Sequence, residues 1–282
     1  MSKSQNKQMA SVQPKSDIEI EIATRPALRL WNGRVKTDKK HGILGIPGFC
    51  KILKGIEQAI KDDDPYADYH YHATEQAITA LKFDLDSQLK DMDEYIKDNV
   101  PPTMRLPDVG NKEPEIVPIR FASRLGFKLV YQLLTLDQVV LKVLLANHIG
   151  ILNNSDKFDI IGKTEKRFRG VINTVFNYTH TGVTRDDMAA NNQRAQKAKS
   201  IMGEIEKGYL EGTERSDNAP SLPPVRLKTL GKVLDISKVG KKEKESIDEE
   251  VLGEALEEVL ETMPSSKSAP RKKRLARPRK SA

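Results

Sequence analysis

The sequence predicts a mostly α-helical protein with a short β-ribbon, folded over residues 18–219 between polar, disordered tails. Three observations carry this. The most apolar stretch, Glu115–Gly150, changes its hydrophobic period from two residues to the helical repeat partway along. Helical spacing recurs through much of the remaining body. Both ends are polar and charge-segregated.

In chain order, residues 1–17 form a lysine-bearing arm without periodicity. Ile18–Ile22 (IEIEI) alternates and suits a short strand or an extended arm. In LRLWNGR, Asn32-Gly33 is a turn signal, and Trp31 pins the arm to the body by burying its ring. After the apolar loop ILGIPG, Phe49–Ile60 reads as a helix with Ile52, Leu53, Ile56 and Ile60 on one face. Asp62-Asp63-Asp64-Pro65 suggests a metal at first glance, but Asp64 as N-cap and Pro65 in the first turn explain it better. A long amphipathic helix then runs from Pro65 to Asn99. Its Asp68, His72 and Glu75 share one face, expected to be solvated. Residues 100–115 are a proline-rich connector.

Residues 116–122 read as a strand, with Val117, Ile119 and Phe121 alternating against Pro118 and Arg120. Pro118 marks an edge. From Leu125 the helical period takes over up to Gly150. A second parse stays open, in which Phe127–Leu133 continue as a strand and Thr135 with Gln138 caps a shorter helix. A helix over residues 155–176 follows, with Lys163, Lys166, Arg167 and Arg169 in its middle. Thr184 and Asp187 have capping-box spacing for a polar helix to about Met202. Residues 220–282 form the tail: an acidic amphipathic helix over 246–263, then a basic terminus over 264–282.

The net charge is +7. Residues 264–282 carry eight Lys/Arg and no acid, whereas 241–263 carry nine acids and three Lys. With these and the three N-terminal lysines set aside, residues 16–240 keep only +2, so any nucleic-acid affinity of the body rests on local patches. One cysteine, Cys50, excludes an intramolecular disulfide and a cysteine-based zinc site. No run approaches the roughly 20 apolar residues of a membrane span, and the N-terminus has no hydrophobic leader core, so a cytoplasmic protein is expected. Phosphate-loop, dinucleotide, nucleophile-elbow and zinc-protease motifs are missing. A non-enzymatic binding module without cofactor or metal is the resulting expectation.

A strand followed by two helices, within residues 116–176, has the order of a ribbon–helix–helix unit. In that design strands of two protomers pair into a ribbon that enters the major groove. A ribbon–helix–helix-like dimeric core, embedded in a larger helical body, is therefore expected. Arg120 faces away from Ile119 and Phe121 and suits guanine; Arg124 and Lys128 follow it. Lys163, Lys166 and Arg167 would assist the second helix N-terminus in holding a phosphate.

WNGR at 31–34, DDPYAD at 63–68, VPIRFAS at 117–123 and HIGIL at 148–152 belong together, as do GVTRDD at 182–187, RAQKA at 194–198 and MGEIE at 202–206. In combination they resemble the integrating-conjugative-element proteins that include the AcaB-type transcriptional activators of conjugative plasmids. The likeness spans about residues 28–219. SRLG at 123–126 departs from the Pro–aromatic helix start expected there. The resemblance implies a DNA-binding regulator, an activator of conjugative transfer genes, acting as a homodimer on promoter double-stranded DNA. RNA polymerase or another protein would meet the acidic helix, and no membrane is involved. The competing expectation is a non-enzymatic accessory or scaffold protein of the conjugation machinery.

Overall fold

In the computed structural model, residues 18–106 and 113–223 are described. The expected features of residues 1–17, 246–263 and 264–282 lie outside them.

The body is built on α3 (Pro65–Asn99), whose 35 residues start and stop where local chemistry says they should. The Asp64 carboxylate accepts the N–H groups of Tyr66 and Ala67, which accounts for the acidic run without a metal. α4 (Arg124–His148) lies alongside it in the same direction: Glu75 pairs with Lys128, and Asp93 with Lys142. α5 (Asn154–Asn173) returns antiparallel, with Thr164 donating to Gln88 and Arg167 paired to Asp84. α1 (Arg25–Asn32) and α2 (Ile46–Lys61) close the bundle around Leu30, Phe49, Leu53, Leu125, Leu129 and Phe168, all at or below 1% exposure.

α4 is unbroken, so the parse with a strand at Phe127–Leu133 is excluded. Its buried Leu129, Leu133, Leu136 and Val140 follow the helical repeat, which a strand could not present to one core. By length and composition α4 could cross a membrane, contrary to the sequence expectation. It is instead the central core helix, packed against α1, α2, α3 and α5.

The ribbon forms within one chain, where the sequence reading takes it from two protomers. β1 (Glu19–Ile22) pairs antiparallel with β2 (Glu115–Pro118) in the register Ile20↔Val117. The Ile119 N–H donates to the Ile18 carbonyl at 2.8 Å. Alternation then aims the backbone groups of Ile116 and Pro118 at the outer edge, where proline supplies no donor. β1 is anchored in turn by Asp137 of α4, whose carboxylate accepts the Ala23 N–H, the Thr24 N–H and the Thr24 hydroxyl.

The chain beyond α5 wraps back as a clasp. A 3-10 turn (Thr174–Asn177) leads to α6 (Arg185–Ala190), α7 (Gln193–Met202) and α8 (Lys207–Glu211). The expected capping box of Thr184 and Asp187 is present. The single helix expected up to Met202 is two, because Asn191 adopts the left-handed conformation. The face of α3 expected to be solvated is covered by this clasp. Arg185 donates to Asp68 at 2.5 Å and Asp63 at 2.8 Å, and Arg215 adds a contact to Asp68 at 3.0 Å. His72 meets the Tyr209 hydroxyl at 2.9 Å, and Glu75 accepts from Ser216 and Asn218. The Arg185 and Asp68 side chains are 1% and 0% exposed.

Candidate nucleic-acid interface

α1 ends at Gly33, with φ 65° and ψ −153°, a conformation nearly confined to glycine. The turn lets the chain double back so that Gly45 sits against the Trp31 and Asn32 backbone. Trp31 is buried, as expected, and its ring lies 6.3 Å from Phe121, which lies 5.8 Å from Phe127. Gly126 admits this stack, since a Cβ there would meet Cys50 Sγ at 2.8 Å and Phe121 at 3.0 Å. Here SRLG works as a helix start: the Ser123 hydroxyl accepts the Gly126 N–H and donates to Glu57 at 2.7 Å.

A groove of about 930 Å³ opens between α2 and residues 115–123. Trp31, Pro47, Ile119 and Phe121 give it an apolar wall. Lys51, Lys54 and Arg120 line it as exposed cations, against the carboxylates Glu57 and Glu115. Glu57 is engaged by Ser123 and by the Tyr71 hydroxyl. Burial, and then the nearby Glu57, push the Tyr71 phenol well above its usual range. Burial likewise pushes the Cys50 thiol up to about 12, so it packs as a neutral side chain.

Arg120 lies just past β2, in the loop leading to α4, rather than on a strand. The outward ribbon face, Glu19, Glu21, Ile116 and Pro118, carries two carboxylates and no cation, so it repels phosphate. Arg124 is exposed at the start of α4, beside the groove's last lining residue, Ser123. Lys128 does not line the groove; it reaches Glu75 at 2.6 Å. Lys163, Lys166 and Arg167 also stand apart from it, in the middle of α5. From Asn154 to Lys163 is roughly 14 Å along the helix axis, so they do not surround the first-turn N–H groups. Arg167 is bound to Asp84, Lys163 pairs with Asp159 at 2.6 Å, and Lys166 is exposed. Sequence reasoning missed Lys51 and Lys54. Their spacing opposite the Leu53 and Ile56 face of α2 was the available signal.

No group of side chains able to hold a metal occurs among the described residues. A helical body with a cation-rimmed, aromatic-walled groove is a module for binding an extended, anionic partner. The chain belongs to the AcaB family of transcriptional regulators, whose family model, Transcriptional regulator AcaB, matches residues 13–223. Among solved structures it is similar to selenomethionine-containing AcaB from uropathogenic E. coli. The identity is 12% and the TM-score 0.47, over 71% of this chain and 98% of that one. A comparison with curated protein sequences gives no match.

The family motifs acquire physical roles here. Asp63 and Asp68 of DDPYAD and Arg185 of GVTRDD are partners in the clasp. The Asn-Gly of WNGR is the tight turn beneath the groove wall.

Proposed function

We propose that the protein is a cytoplasmic, DNA-binding transcriptional regulator, an activator of conjugative transfer genes, that works as a homodimer. DNA meets the groove between α2 and residues 115–123. Arg120 reaches a base edge, where its planar fork suits guanine O6 and N7. Lys51, Lys54 and Arg124 neutralise flanking phosphates, which fixes register without reading sequence. The single observation carrying this reading is the convergence of Lys51, Lys54 and Arg120 on one groove, none of them held in an ion pair among the described residues.

The ribbon serves as support. Its in-chain pairing, locked by Asp137, fixes where Arg120 emerges. Lys128 and Arg167 stabilise the helical bundle through their carboxylate partners, and Lys163 and Lys166 remain outside the DNA face.

A gel-shift assay with promoter fragments of the element's own transfer genes tests the proposal. Unlabelled promoter DNA is expected to displace the complex at far lower concentration than unrelated DNA of equal length. Equal displacement by both, or no shift, would overturn the reading.

A further inference from the structure

Between α3 and α5, away from the groove, lies a shallow apolar trough of about 410 Å³ with Ala77, Ala80, Gly170 and Val171 among its lining residues. Beside it stands Phe83, 67% exposed, a large cost for an aromatic ring left in water. A surface that carries both a projecting ring and a recess can bind a second copy of itself, because a two-fold axis sets each ring against the other copy's recess.

The charges fit the same operator. Asp84, Asp91 and Asp98 recur every seven residues from Ala77, so they run along the trough side of α3. Lys163, Lys166 and Arg167 lie within a turn or two of Gly170 on α5. One wall is acidic and the other basic. Rotation about the two-fold brings the acidic helix of one copy over the basic helix of its partner. The alternative seam, the outer edge of β2, lacks a donor at Pro118.

We infer that this α3–α5 face is the homodimer interface, with Phe83 as its anchor, occupied by a second copy of this chain. The inference rests on the homodimer in the proposed function and names the surface that forms it. It also gives Lys163 and Lys166 a partner that is protein rather than DNA.

Sedimentation velocity of the full chain over a micromolar concentration series tests it, with Phe83→Asp and Gly170→Glu as variants and circular dichroism to verify folding. Wild type is expected to dimerise. Each variant should dissociate at a concentration about 30-fold higher or more, the shift typical of a lost interface anchor. If wild type and both folded variants dimerise alike, the face is wrong while the dimeric regulator stands. A wild-type chain that sediments only as a monomer overturns both, and leaves Phe83 for a different protein.

Discussion

The arginines at the two ends of the fold live in opposite surroundings. In the clasp, Arg185 is 1% exposed, its guanidinium bound to Asp63, Asp68 and the Tyr209 carbonyl. At the groove, Arg120 is exposed and meets solvent. An arginine supplied with buried carboxylates holds a structure together. One left at a groove rim beside two lysines has its donors available for another molecule. Removing a clasp arginine should therefore cost stability, whereas removing the groove arginine should cost binding.

The largest expected effect is in the clasp. Arg185→Ala leaves the Asp68 carboxylate, 0% exposed, with only Arg215 beside it. Breaking a buried pair from one side costs about 3–5 kcal/mol, to be read by urea denaturation. A loss under 1 kcal/mol would erase the contrast between the two ends.

Next comes the turn under the groove wall. Gly33→Ala forces a side chain into a backbone conformation that costs about 1–3 kcal/mol, and its Cβ would also press on the Ile43 carbonyl and the Gly45 amide. Thermal unfolding should show the loss, and Trp31 fluorescence should shift to the red as its ring gains solvent.

A smaller, pH-dependent effect sits where the clasp meets α4. Burial alone would raise the Glu75 carboxyl, but hydrogen bonds from Lys128, Ser216 and Asn218 outweigh it and hold the group below the usual glutamate range. The folded state thus binds that proton less readily than the unfolded chain. Its contribution is full above the ordinary glutamate range and fades as pH falls through the depressed folded value. Glu75→Gln should flatten the fall in stability below about pH 4.5, measured by denaturation across a pH series. An unchanged acid limb would show that the Glu75 cluster does not couple to folding.

Much of the helical frame is legible in the sequence because its determinants are local. The Asp64 cap, the Thr184–Asp187 box and the 3.6-residue spacing of Ile78, Leu81 and Leu85 are all written within a few turns. The ribbon's partner is not, because a four-residue alternation specifies a face and no neighbour, and its mate lies nearly a hundred residues away. The polar face of α3 reads as solvated for the same reason, its cover being Arg185, Tyr209, Arg215 and Ser216. Of the expected DNA-facing set, Lys128 and Arg167 found carboxylates on α3 that no local pattern announces. Arg120 and the Lys51/Lys54 pair are each visible in sequence, but their meeting at one groove is a property of the packed chain.

The most direct measurement is the affinity of Arg120→Ala for promoter DNA and for unrelated DNA, by fluorescence anisotropy, with the melting temperature taken in parallel. The account predicts a loss of about 1–3 kcal/mol on promoter DNA, little change on unrelated DNA, and stability within about 0.5 kcal/mol of wild type. Promoter affinity equal to that of wild type, in a protein equally stable, would contradict it.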